Sequence, residues 1–144
     1  MSRVQLALNV DDVEAATAFY ARLFGTEPAK RRPGYANFAI ADPPLKLVLL
    51  ENPGQGGSLN HLGIEVDSVD EVDATQTRLA EHGLASIDER GTTCCYAKQD
   101  KFWVEGTPSG ERWEVYTVLA DSPTFAEATA DGQTCCGTAP ASCC

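Results

Sequence analysis

Histidine and methionine are nearly absent from this chain. Its 144 residues contain two histidines and one methionine. Positive charge is also scarce, with 11 Lys and Arg against 21 Asp and Glu, for a net charge of −10. That balance excludes nucleic acid as a partner, because phosphate backbones demand a basic surface. It also excludes an anionic membrane surface. No stretch is long and apolar enough to span a bilayer, and Met1-Ser2-Arg3 leads directly into a strand. Neither a transmembrane segment nor a signal peptide is expected, and the expected setting is the cytoplasm.

What is present is a core and a repeat. The chain is 43% hydrophobic, enough for one compact domain or two small modules sharing a core. The stretch Val4-Gln5-Leu6-Ala7-Leu8-Asn9-Val10-Asp11 aligns with Asn60-His61-Leu62-Gly63-Ile64-Glu65-Val66-Asp67. The register persists in Val13 and Val69, Arg22 and Arg78, and Leu23 and Leu79. Both stretches alternate as half-buried strands do. An internal repeat of this kind governs the fold assignment and sets Gln5 and His61 at equivalent positions.

Each copy continues the same way. Asp11 or Asp12 caps a helix running to about Phe24 and closed by Gly25; Ser68 or Asp70 opens a second, running to about His82 and closed by Gly83. Strands are expected over 35–40, 45–50, 91–97, 102–105 and 111–118. Asn52 to Ser58 is a flexible link. From Ala120 onward little is available to bury, and 121–144 is expected to be mostly disordered. The division is a first module over 1–58, a second over 59–119 and a Cys-containing flexible tail over 120–144.

Two sets of residues carry chemistry. On the final strand Glu114 sits mid-strand between aromatic neighbours, where an unpaired carboxylate is costly. Trp113 and Val115, on the other face, are natural core residues. Gln5, His61 and Glu114 together offer an amide oxygen, an imidazole nitrogen and a carboxylate. That set is similar to a facial triad of non-haem iron with Gln in place of one His, and it leaves coordination positions open. His82, before Gly83, suits a helix C-terminus and is given no catalytic role.

The second set is sulfur. All six cysteines fall in adjacent pairs: Cys94-Cys95, Cys135-Cys136 and Cys143-Cys144. A disulfide scaffold spaces its cysteines to bridge distant segments, whereas neighbours bridging each other form a strained ring. In a reducing compartment the pairs read as dithiols for a soft element. Adjacent strand side chains face opposite ways, so Cys94 and Cys95 can share one ligand only where the backbone is loop-like or bulged.

In several of these stretches the chain resembles the vicinal-oxygen-chelate superfamily, which includes glyoxalase I, bleomycin-resistance proteins and extradiol dioxygenases. Within it the resemblance is to the ArsI-type organoarsenical carbon–arsenic lyases and the related cadmium-induced proteins. It rests on Val4 to Val10, Tyr35-Ala-Asn-Phe38, Asn60-His61-Leu62-Gly63, Gly91-Thr-Thr-Cys94-Cys95-Tyr96 and Glu111-Arg-Trp-Glu114-Val-Tyr116. The resemblance implies an α+β fold of paired βαβββ modules forming a curved mixed-sheet cup. It implies Fe(II) held by Gln5, His61 and Glu114, with other divalent metals able to substitute without supporting activity. It implies dioxygen and a trivalent organoarsenical as substrates, with Cys94 and Cys95 binding arsenic. Cys135, Cys136, Cys143 and Cys144 are then accessory thiols, and no oligomer is indicated. Glyoxalase-type sites add a fourth ligand from the last strand of the first module. There the position matching Glu114 is Leu47, which is no ligand, so an oxygen-activating site is favoured over an isomerase. The rival expectation is a non-catalytic protein that sequesters cadmium or arsenic on its thiols.

Overall fold

The computed structural model describes residues 2–126. They form an α+β fold in which one βαβββ plan occurs twice. The first copy is β1 (Arg3–Val10), α1 (Val13–Phe24), β2 (Lys30–Arg32), β3 (Tyr35–Ile40) and β4 (Leu45–Glu51). The second is β5 (Leu59–Glu65), α2 (Val69–Glu81), β6 (Ser86–Cys94), β7 (Ala97–Val104) and β8 (Trp113–Asp121). The chain divides into two compact units, one of Arg3–Leu62 and the other beginning its main run at Gly63.

The helix boundaries follow from their caps. Asp12 Oδ1 accepts from the backbone N–H groups of Glu14 and Ala15, and Gly25 closes α1 at φ 63. Ser68 Oγ accepts from Glu71 N–H, while the Glu71 carboxylate reaches back to Asp67 N–H. These bonds satisfy N–H groups that a helix start leaves without partners. At the far end of α2, His82 Nδ1 lies 2.8 Å from the Arg78 carbonyl, the capping position that Gly83 implied.

In the first unit the strand order is β2-β3-β4-β1, with β1 parallel to β4 and the other two pairings antiparallel. One face of this sheet packs Leu6, Leu8, Val10, Phe38, Leu47 and Leu49 against Val13, Ala16, Tyr20 and Phe24 of α1. Period two then turns Gln5, Ala7 and Asn9 to the other face, with Lys46, Val48 and Leu50 beside them on β4. The expected match of Leu47 to Glu114 is therefore corrected. Leu47 belongs to the helix-side core, and the residues on Gln5's face are Lys46, Val48 and Leu50. None of these is a carboxylate.

In the second unit β8, β7 and β6 run antiparallel in that order. Val115 and Phe102 pack with Val66 and Val72 on the α2 side. Burying each such side chain contributes about 1.5–3 kcal/mol. Trp113, expected in the core, is only half-buried.

Three further expectations are corrected. Residues 91–97 are not one strand: β6 ends at Cys94, β7 begins at Ala97, and Cys95-Tyr96 forms the turn between them. The stretch 121–126 is ordered, since Asp121 ends β8, Ser122 N–H donates to the Tyr96 carbonyl and Ala126 bridges to Cys94. The rest of the expected tail, with Cys135, Cys136, Cys143 and Cys144, lies outside the described residues.

The link 52–58 is pinned rather than flexible. Asp11 Oδ1 accepts from the N–H groups of Gly54 and Gly56, and Gly57 N–H donates to the Asn9 carbonyl. A side chain at residue 56 would meet the Asp11 carboxylate, because a Cβ there falls 2.3 Å from Oδ2. Gly56→Ala is expected to destabilise the protein by about 1–3 kcal/mol, the usual range for overpacking. Denaturant unfolding checks this. An unchanged midpoint would mean that the Asp11 clasp holds nothing together.

Candidate metal centre and dithiol

His61 is fully buried and Gln5 is 4% exposed. Their Nε2 atoms lie 3.1 Å apart, across the 56-residue offset of the repeat. A directional chain of hydrogen bonds sets the imidazole. The Ser58 hydroxyl donates to the Gln55 carbonyl at 2.7 Å, so its oxygen accepts from Asn9 Nδ2 at 2.9 Å. Asn9 Oδ1 in turn accepts from Asn60 Nδ2 at 3.0 Å and from Asn52 Nδ2 at 2.6 Å. The Asn60 oxygen is thereby presented to His61 Nδ1 at 2.7 Å. A carboxamide oxygen only accepts, so the proton is assigned to Nδ1 and the lone pair to Nε2.

That arrangement fits a metal ligand. Ligating histidines generally donate their other N–H to an oxygen that fixes ring and tautomer. Gln5 Nε2 stands 3.1 Å from His61 Nε2, and the same carboxamide carries an oxygen that would offer a second ligand atom beside the imidazole. Gln5 would serve through its amide oxygen. Among the described residues no three His, Cys, Asp or Glu side chains are grouped as a metal site. Gln5 is none of those types, so the expected trio brings only His61 and Glu114 to such a group.

Glu114 lies in the second unit, 2% exposed. Its Oε2 accepts from Lys101 Nζ at 3.1 Å, and Lys101 has no exposed surface at all. Glu89 stands 3.5 Å from the same ammonium, within ion-pair range. Lys101 also lies over the Trp103 ring, 4.9 Å from its centroid. Burial raises the Glu89 pKa, and the neighbouring Lys101 charge opposes that rise without cancelling it. The carboxylate suspected of being costly is thus paired, with a lysine that sequence reasoning missed. The polar run Lys98-Gln-Asp-Lys101 resembles a loop. Only period two carried back from Trp103 would have set Lys101 on Glu114's face.

Register on that face is explicit. Trp103 pairs with Glu114, Lys101 with Tyr116 and Glu89, and Ala97 with Cys94. Cys94 and Glu114 therefore share one face of the β6-β7-β8 sheet. They are not neighbours. Ala97 and Trp103 are six residues apart, about 20 Å along a straight strand. Register shifts at Glu89/Thr92 and Lys98/Gln99 bend the intervening strands, which shortens that separation.

The doublet sits where adjacent thiols need not diverge. Cys94 is the last residue of β6, and Cys95 and Tyr96 have positive φ, 53 and 60. Positive φ at both central positions is the requirement of a type I′ hairpin turn, normally met by Asn and Gly. Two bulky side chains there represent strain of a kind that clusters at ligand clamps. Gln99, buried beneath, donates to the Cys94 carbonyl. The doublet was expected as a dithiol; in this structure Cys94 is disulfide-bonded, so any thiol chemistry belongs to the reduced protein.

This chain belongs to the glyoxalase/bleomycin resistance protein/dioxygenase superfamily, whose family model matches residues 3–115. Two relatives extend the match over nearly the whole chain. The cadmium-induced protein CadI of Mycobacterium tuberculosis (strain ATCC 25618 / H37Rv) is 68% identical over 143 residues, 94% of this chain and 93% of its own length. A trivalent organoarsenical cleaving enzyme of Thermomonospora curvata is 58% identical over 137 residues, 94% of this chain and 89% of its own. Among solved structures, an extradiol ring-cleaving dioxygenase from B. fuscum shares the fold. Its TM-score is 0.57 at 19% identity, covering 83% of this chain and 33% of that one. No helix among the described residues is long and apolar enough to cross a membrane.

Two outcomes follow from the geometry. Lys101→Met leaves buried carboxylates without their counter-charge and is expected to cost about 3–5 kcal/mol. Adding Glu89→Gln should recover part of that loss in equilibrium unfolding. Asn60→Ala releases the His61 tautomer and is expected to weaken divalent-metal affinity about 10- to 100-fold. Competitive metal titration, with imidazole nitrogen NMR to read the tautomer, checks it; full affinity with an unchanged tautomer would dismiss the relay.

Proposed function

We propose that this protein is a metal-dependent enzyme that cleaves the carbon–arsenic bond of trivalent organoarsenicals and leaves inorganic arsenite. The observation that carries the proposal is the Cys94-Cys95 pair at a strained hairpin turn, with Cys94 on the sheet face that bears Glu114. The organoarsenical cleaving enzyme of T. curvata, 58% identical, supports the substrate class.

The roles divide by chemistry. Reduced Cys94 and Cys95 replace two oxygen ligands on a trivalent arsenical, because As(III) is soft and thiolates are soft donors. Gln5, His61 and Glu114 are the proposed holders of ferrous iron. That metal, when bound, supplies open positions for dioxygen. Asn60 and Asn9 hold the His61 ring so that Nε2 carries the lone pair. Lys101 fixes one Glu114 oxygen and compensates its charge. The burial of His61, Glu114 and Lys101 excludes water from these groups. Gln99 and Lys101 occupy the row of the face between the doublet and Glu114. The need for reduced thiols implies a cytoplasmic setting.

The separation between Cys94 and Glu114 favours a second reading, in which the doublet captures thiophilic metals without turnover. The experiment uses reduced protein loaded with Fe(II) and exposed to air with methylarsenite or phenylarsenite. An enzyme releases several equivalents of arsenite per chain; a sequestering protein releases none. His61→Ala and Glu114→Ala are expected to abolish release and iron binding, while Gln5→His retains both. Cys94→Ser and Cys95→Ser should keep iron yet lose about 100-fold in kcat/KM, the scale of a small misplacement of reactants. Normal turnover by both serine variants would sink the arsenic assignment.

A further inference from the structure

Above the doublet lies an aromatic pair with no part in the proposed iron and thiol chemistry. Phe125 packs against buried Cys94, as do Cys95 and Ala126. Its ring meets Tyr96 edge-to-face, with centroids 5.6 Å apart. The placement is held by backbone bonds, since Ser122 N–H donates to the Tyr96 carbonyl at 2.9 Å and Ala126 forms an antiparallel bridge with Cys94. Tyr96 itself takes a positive φ, 60, in the turn.

We infer that Phe125 and Tyr96 form the subsite for the organic substituent of the arsenical and favour aryl groups over methyl. The inference rests on the reading of Cys94 and Cys95 as arsenic ligands. The binding step needs no redox partner. R–As(OH)2 and two thiols give R–As(S–Cys)2 and two waters, so two As–O and two S–H bonds break while two As–S and two O–H bonds form. Once both sulfurs are engaged, the remaining arsenic substituent is carbon. Whatever that carbon bears lies among the groups packed at the doublet, and in this structure those are Phe125 and Ala126, with the Tyr96 ring edge-to-face on Phe125. An aryl ring gains edge-to-face or offset contacts there beyond simple burial, whereas a methyl group is too small to span the pair.

The test compares two arsenicals on one protein. Full-length chain with Cys135, Cys136, Cys143 and Cys144 changed to Ser is reduced, and its affinities for phenylarsenite and methylarsenite are measured. Phe125→Leu, which keeps apolar volume over Cys94, and Phe125→Ala are compared with the parent. The expected result is a phenylarsenite affinity lowered about 3- to 10-fold, with methylarsenite changed less than about twofold. Magnetisation transfer from phenyl protons to the Tyr96 ring is expected in the parent complex and provides a readout should Phe125→Ala fail to fold. Equal changes for both ligands would show that Phe125 merely covers the sulfur, and would overturn the inference while leaving the dithiol intact. Binding of both arsenicals that persists unchanged in Cys94→Ser, Cys95→Ser protein would instead overturn the dithiol reading and the subsite with it.

Discussion

A lysine ammonium with no exposed surface, held between two carboxylates, constrains everything around it in the second unit. Lys101 loses all of its hydration, and Glu114 at 3.1 Å and Glu89 at 3.5 Å return electrostatic energy. Such a group tolerates little displacement, because each partner left alone would be a buried unpaired charge. The register of β6, β7 and β8 is tied to it, since one carboxylate comes from each flanking strand. The raised pKa of Glu89, caused by burial and opposed by Lys101, has a definite sign. Its contribution to stability is full below the pKa of an unfolded carboxylate and is lost as pH rises through the raised folded value. The fold therefore keeps this cluster at a cost near neutrality.

The first unit reaches a buried polar centre by a different route. There the hydrogen bonds set direction. Each acceptor in the series Ser58, Asn9, Asn60 fixes the orientation of the group that donates to it, and the series ends on His61 Nδ1. The consequence is a Nε2 lone pair aimed at the Gln5 amide. The first unit thus holds an imidazole of defined tautomer, and the second holds a carboxylate stripped of water but charge-balanced. The Asp11 clasp on 52–58 belongs to the same logic, because a floppy segment could not hold Ser58 in place for Asn9.

Much of this was legible in the residues, and what was missed shares one cause: it depends on partners distant in sequence. The 56-residue offset located Gln5 and His61, and the caps Asp12, Gly25 and Ser68 located both helices, because those signals are carried by the chain itself. Glu114 was recognisable as costly, but its partner was not, since Lys101 lies in a polar run that hides its alternation. Asn60 carries no signal by itself; only the three-dimensional adjacency of Asn9 and Ser58 gives it a role. Leu47 was set against Glu114 by counting along the chain, and strand pairing moved the match to the other face. The Cys95-Tyr96 turn was invisible for a sharper reason. Bulky residues are poor occupants of positive φ, so propensity argues against a turn where the fold makes one.

That conflict between propensity and backbone is informative in itself. A hairpin tip with Asn and Gly would form with less strain and would serve if the turn only joined two strands. Keeping Cys at the first central position and Tyr at the second costs conformational energy at both. The return is specific: one cysteine ends the strand and the next opens the turn, and the Tyr96 ring meets Phe125 beside them. A run of ordinary strand would have sent the two thiols to opposite faces. The strain and the cysteine pair are therefore two aspects of one device. Its position, on the face of Glu114 but some six residues along β7 from it, sets the proposed capture of a soft element apart from the buried polar groups where chemistry is proposed.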